Sequence, residues 1–342
     1  MFFEALRPDM VTILTGGLSW DIYATGEVDL EDGQTLRRLL AEERIPDGSD
    51  LFIDSPGGSL VGGMDLGRVI RAHGLTTHVG KKGPRECNFQ KTLHGQCLSA
   101  AALAFLGGEF RFVSGRSRYG VHRFTFNDAS PRAAEKAQVL SASVIEYIRS
   151  MDVDIELFSL ASDCPSDDIF EVPPATQKRL GIVNNGIKNA RWTIESYEGM
   201  LYLKGARDTI YGEQKFMVVF PSRGNMFFYV IFAGGRESET ILLMEMDELL
   251  IDRETIPLNA LRVSRVDCNG LINFVYQMTP EILNKMLTAR SIGYNLRHSS
   301  DAPMFVGIDN FPFEDGAAKL AGLVDVFFRE RGSDDWERTR HT

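Results

Sequence analysis

A chain of 342 residues exceeds one ordinary domain and suits two, since domains usually run ~100–200 residues. Hydrophobic residues at 44% and charged residues at 25% make a core-forming balance that excludes disorder and coiled coil. Lys and Arg number 37 against 47 Asp and Glu, a net charge of −10 with no basic block, which argues against nucleic acid and anionic lipid as partners.

The first half alternates strand and helix signals. VTILTG (11–16) is a short apolar run ended by Gly16 and Gly17 and is expected to form a strand. Residues 30–43 place Leu36, Leu39 and Leu40 on one helical stripe. DLFIDS (50–55) has the pattern of a buried strand, stopped by Pro56-Gly57-Gly58. From Ser59 to His73, Leu60, Met64, Gly67 and Ile70 recur at helical spacing, and LTTHVG (75–80) is another strand. Residues 81–96 are polar and read as irregular. LSAAALAFLGG (98–108) predicts a buried helix, with strands around Phe110–Val113 and Tyr119–His122. Ser130-Pro131 reads as an N-cap followed by Pro at the first helical position. It opens an amphipathic helix through Val139, Val144, Ile148 and Met151. Strands interleaved with crossover helices imply a layered α/β core.

Near residue 190 the pattern changes. WTIESYEGMLYLKG, KFMVVFP, MFFYVIFAGG and ETILLMEMDELLID are strand runs separated by turn residues. LRVSRVDCNGLINFVYQM predicts a hairpin at Cys268-Asn269-Gly270, because Asn-Gly supplies the positive φ of a tight turn. A short helix (Pro280–Ala289), a strand (Met304–Ile308) and an amphipathic helix (Gly316–Arg329) follow. The fold expected is an α/β layered domain over residues 1–188 and a smaller, mainly β accessory domain over 189–334. The longest apolar runs fall short of the ~18 residues of a membrane span. The N-terminus shows no basic segment ahead of an apolar stretch, so no secretory signal is expected and a cytoplasmic location is.

Three segments carry candidate chemistry. Asp54-Ser55-Pro56-Gly57-Gly58-Ser59 joins a strand to a helix through glycines whose backbone a ligand can approach, either as part of an oxyanion hole or as a structural turn. In Gly95-Gln96-Cys97-Leu98-Ser99-Ala100, small neighbours leave the Ser99 hydroxyl accessible, and the Ala100 amide is placed to donate to an oxyanion; Ser99 as a simple helix cap is the alternative. In Tyr119-Gly120-Val121-His122-Arg123-Phe124, His122 ends a short strand and is either a base or a polar edge residue.

In this order and spacing the three segments resemble the Clp-type serine peptidases, a family within the larger crotonase-like fold. The resemblance covers roughly residues 10–186. It implies Ser99 as nucleophile, His122 as general base, and the backbone amides of Gly57, Gly58 and Ala100 as the oxyanion hole. The family's triad acid lies before a Pro-containing helix and a Gly-aliphatic-Val strand. Here that stretch is Ser166-Asp167-Asp168-Ile169-Phe170-Glu171-Val172-Pro173-Pro174, closing in Gly181-Ile182-Val183, which implies Asp168, with Asp167 as the alternative. A less characterised bacterial branch has the serine in Cys-x-Ser-Ala-Cys. Cys97-Leu98-Ser99-Ala100-Ala101 keeps the first cysteine only, so Cys87 takes the partner's place or no bridge forms. Four cysteines without CxxC or zinc spacing otherwise read as small, partly buried thiols.

The function expected is a serine peptidase acting on peptides or proteins through an acyl-enzyme. The alternative is a catalytically silent scaffold whose β domain binds a partner protein. Acyl-CoA chemistry on the same fold is disfavoured by Ser99 in its Gly-Gln-x-x-Ser setting. The resemblance implies self-association through the helix after the His122 strand, and hence a homo-oligomer. No metal or organic cofactor is expected. His73, His78 and His94, Asp252, Asp309 and the acidic Glu245–Glu248 stretch read as solvated positions, and Phe227, Phe228, Tyr229, Phe232 and Phe305 as β core.

Overall fold

The computed structural model describes residues 1–8, 13, 18–86, 89–125, 132–221, 224–299, 301 and 306–331. The chain divides into two compact units, Met1–Gly186 and Ile187–Thr342, two residues ahead of the expected boundary. No helix among the described residues is long and apolar enough to cross a membrane.

The first unit opens with β1 (Phe2–Leu6), β2 (Asp21–Thr25), α1 (Asp32–Glu42), β3 (Asp50–Asp54), α2 (Leu60–Ala72) and β4 (Thr76–Val79). There follow β5 (Lys81–Glu86), β6 (Phe89–Leu93), β7 (Gln96–Leu98), α3 (Ala100–Leu106), β8 (Arg111–Phe112) and β9 (Arg118–Val121). The unit closes with α4 (Ala133–Ser150), α5 (Glu156–Asp163), β10 (Phe170–Glu171) and α6 (Pro174–Arg179). A five-stranded sheet has the order β1-β2-β3-β4-β8, parallel except at β1. A three-stranded sheet, β10-β9-β7, carries the continuation of β7 into α3.

Alternation explains β3: Leu51 and Ile53 are buried while Asp50, Phe52 and Asp54 are only half-buried. Leu36 and Leu40 turn one face of α1 into the same core, and all seven residues of α3 are buried. Tyr119 donates to the Ala102 carbonyl and Tyr147 to that of Leu103, tying β9 and α4 to α3.

One sequence expectation is corrected here, and three others fall wholly or partly outside the described residues. Lys81–Glu86 and Phe89–Leu93 pair as antiparallel strands, with a register shift between Lys82 and Arg85 that obscures strand periodicity. The partner strands β1 and β2 pair beside β3, whereas of the expected strand at 11–16 only Ile13 is among the described residues, where it is helical, and the Ser130-Pro131 cap lies outside them. Cys87, the candidate partner of Cys97, also lies outside them, and Cys97 is a free, buried thiol.

Arg111 is a buried hub. Its guanidinium donates to five carbonyls, those of Leu106, Gly108, Met151, Gly181 and Ile182. Two of these belong to the ends of α3 and α4, whose negative poles favour a cation. Burial, followed by repulsion from Arg71, pulls its pKa down to about 10. Arg111→Lys leaves more carbonyls than donors, because lysine offers three donors to the arginine's five. The substitution is expected to destabilise the fold by ~2–3 kcal/mol, read as a lowered midpoint in urea unfolding.

The second unit is β-rich. A six-stranded antiparallel sheet runs β11 (Arg191–Tyr197), β12 (Met200–Thr209), β13 (Gly212–Phe220), β14 (Phe227–Ala233), then β18 (Leu271–Gln277) and β17 (Arg262–Cys268). A four-stranded sheet is ordered β16 (Glu254–Pro257), β15 (Met246–Ile251), β19 (Ser291–Arg297) and β20 (Val306–Pro312). The helices are α7 (Ser238–Leu242), α8 (Pro280–Met286) and α9 (Glu314–Arg331). Asn269 and Gly270 sit at φ 56° and 82°, the conformation a tight Asn-Gly turn between β17 and β18 requires.

The segment expected as one strand, ETILLMEMDELLID, is instead α7 and β15, and its Asp247 is fully buried rather than solvated. Arg262 and Arg265 hold that carboxylate at 2.8 and 2.6 Å, an arrangement a local sequence pattern cannot reveal. Phe228 and Phe232 do enter the core, while Phe227 and Tyr229 on the alternate face are half-buried and Phe305 lies outside the described residues.

Candidate active site

The site is built where β3 ends. Beyond Asp54 the chain makes a parallel bridge to β7: the Ser55 amide donates to the Gln96 carbonyl at 2.7 Å, and the Leu98 amide to the Ser55 carbonyl at 3.1 Å. The Ser99 amide donates to the Gly120 carbonyl at 3.0 Å. Ser99 is thus clamped between the glycine turn on one side and β9 on the other. It occupies φ 54°, ψ −122° at the junction of β7 and α3, a backbone strained for a residue with a side chain. This turn aims its hydroxyl out of the helix.

Ser99 therefore does not behave as an ordinary helix cap, and its side chain bonds to no backbone amide of α3. Its Oγ lies 2.8 Å from Nε2 of His122, the residue that follows β9. Strand, elbow and helix thus bring together the two residues that the sequence separates by 23 positions.

The glycine turn touches the same serine. Gly57 has φ 114°, and a Cβ added there would sit 2.6 Å from the Ser99 Cβ. Its amide donates to Ser55 Oγ at 3.2 Å, so Gly57 serves the turn and not the expected oxyanion hole. Gly58, at φ 142°, bridges Val28 through the Gly57 carbonyl and the Ser59 amide, which directs its own N–H away from Val28. The Ala100 amide is the first of α3 and has no carbonyl one turn back within the helix. Gly58 and Ala100 are the two remaining donors of the expected set.

The expected acid is not in place. Asp168 is exposed, and its Oδ1 accepts from the Ile169 amide at 2.7 Å; Asp167 is exposed as well. Nδ1 of His122 is buried with no hydrogen-bond partner among the described residues. The register explains this. Phe170 pairs with Val121 and Glu171 with Gly120, so one further step sets Ile169 opposite His122 and leaves Asp168 a residue too far.

No family model and no curated protein matches this chain. Among solved structures it is similar to a point mutant of ClpP1 from Listeria monocytogenes. The two share 20% identity and a TM-score of 0.37, over 48% of this chain and 88% of that one.

Beside Ser99 and His122 opens a small, partly open cleft. Leu103 and Val121 line one wall; Val144 and Ile148 of α4, with Leu157 and Phe158 of α5, line the other. Sequence reasoning placed α4 on the map but missed α5 as a wall, whose short apolar run LFSLA carries no feature beyond helical spacing. The neighbouring Cys97 is no rival nucleophile. Burial, reinforced by the nearby Asp54 carboxylate, pushes its thiol well up, and its Sγ donates to the Ala101 carbonyl.

Gly57→Ala is expected to slow acylation of Ser99 by more than ~10²-fold, because both the positive φ and the 2.6 Å contact force the serine aside. The rate of inactivation by a fluorophosphonate, compared at matched folded concentration, measures it.

Proposed function

We propose that this chain is a serine hydrolase of the peptidase type, with Ser99 as nucleophile and His122 as general base. The observation that carries the reading is the 2.8 Å Oγ–Nε2 contact at a strained strand–helix elbow packed against Gly57. Structural serines have no need of that backbone. In the reaction Nε2 takes the hydroxyl proton as Oγ bonds to the substrate carbonyl carbon. The carbonyl electron pair moves onto oxygen, where the amides of Gly58 and Ala100 receive the charge. His122 then returns the proton to the leaving nitrogen, the C–N bond breaks, and an ester on Ser99 remains. Water repeats the sequence and frees the acid.

Peptides are favoured as substrates by the apolar cleft beside Ser99 and by the resemblance of the three motifs to Clp-type peptidases. One observation favours the second reading, a silent scaffold: among the described residues no acid holds the Nδ1 of His122. A fluorophosphonate probe separates the two. Labelling located on the Ser99 peptide by mass spectrometry is the expected result. A folded protein that takes up no label would remove the hydrolase reading in favour of the scaffold.

A further inference from the structure

Among the described residues lining the cleft Arg123 is the one with a permanent charge, and apart from Ser99, His122 and Ser162 the others are apolar. It is fixed at two points. Its amide donates to the Cys164 carbonyl at 3.0 Å, and its Nε to the Ser162 carbonyl in the last turn of α5 at 2.8 Å. A cation is at home there, against the negative end of a helix. The two remaining guanidinium nitrogens form no ion pair among the described residues. Neighbouring arginines differ: Arg118 pairs with Glu171 at 2.6 Å and Arg179 with Glu156 at 2.6 Å. In a chain of net charge −10, a guanidinium held at the mouth of a largely apolar cleft with two nitrogens free is placed to donate to a carboxylate.

We propose that Arg123 makes this cleft selective for peptides that carry a carboxylate next to the apolar side chain seated in it. The carboxylate is a C-terminal one or the side chain of Asp or Glu. The proposal deepens the hydrolase reading by naming its substrate class, yet the preference itself is one of binding. Arg123 is exposed at the cleft, so the discrimination rests on the two-pronged geometry of the guanidinium and not on a dry environment. A fork of two parallel N–H groups also sets direction: it orients the peptide as well as attracting it.

The test uses the full chain carrying Ser99→Ala, so that nothing is turned over, and fluorescein-labelled short peptides in matched pairs. One pair has leucine followed by a C-terminal glycine, as free acid and as amide. The other has leucine followed by Asp or Asn in an amidated peptide. Fluorescence anisotropy is expected to show the acidic member of at least one pair binding ~10-fold more tightly. The ratio should fall towards one in Arg123→Gln and take an intermediate value in Arg123→Lys, which keeps the charge without the fork. Which pair responds tells a terminal from a side-chain carboxylate. Circular dichroism melts verify that each variant is folded.

Equal binding within both pairs, no binding of any peptide, or a preference that survives Arg123→Gln would overturn the proposal. Failure of the hydrolase reading has its own signature. Ser99 that takes the phosphonate without any carboxylate preference removes this inference alone. A preference that vanishes in Arg123→Gln, on a chain that takes no label, keeps this inference and removes the hydrolase.

Discussion

Ser99→Ala is expected to lower the hydrolysis of an apolar acyl substrate by at least ~10³-fold and to abolish phosphonate labelling altogether. The size follows from the roles. Without Oγ no acyl-enzyme forms, and what remains is the help the amides of Gly58 and Ala100 give to attack by water. His122→Ala should cost nearly as much, because a serine hydroxyl whose proton has nowhere to go is a weak nucleophile. The two losses should not add. Once either partner is gone the other contributes nothing, so the double variant should match the worse single one. Additive losses in a two-by-two comparison of kcat/KM would mean that Ser99 and His122 act separately, and would break the pair that the 2.8 Å contact defines.

The order of motifs along the chain made Ser99, His122 and the glycine turn legible, since each leaves a local trace: small residues around a serine, a His at a strand end, two glycines between strand and helix. The α/β layering and the change to a β-rich unit were legible for the same reason, from periodicity and turn residues. What sequence reading missed depends on register. Asp168 looked suited to holding His122, but the pairing of Phe170 with Val121, continued by one residue, leads to Ile169 and not to Asp168. Gly57 looked like an oxyanion donor, and only the folded turn shows its amide occupied by Ser55. Asp247 read as solvated because the two arginines that neutralise it lie on another strand, 15 and 18 residues away. A one-residue slip is invisible to composition, which is why the expected acid is the candidate residue that the structure does not bring to His122.

Ile169→Asp is expected to raise hydrolysis by ~10-fold or more, a gain where nearly every other substitution at this site brings loss. For Nε2 to accept the Ser99 proton, the neutral imidazole must carry its own proton on Nδ1, and that buried N–H has no partner among the described residues. An unpaired buried donor costs ~1–3 kcal/mol, which disfavours the tautomer the chemistry needs. Ile169 is half-buried, follows the Phe170–Val121 pair in register, and lies over Gly120, where an added Cβ would be 2.5 Å from its Cγ2. A carboxylate at this position would accept from Nδ1–H, fix the tautomer and stabilise the imidazolium formed during attack. Ile169→Asn separates those effects, since an amide oxygen holds the tautomer but offers no charge. Its gain should be smaller than that of the aspartate variant. Both variants are expected to melt at lower temperature than the parent, through lost apolar contact, so rates are compared per folded molecule well below the transition. If neither variant changes kcat, a group other than the register neighbour orients His122, and the missing acid is not what limits this site.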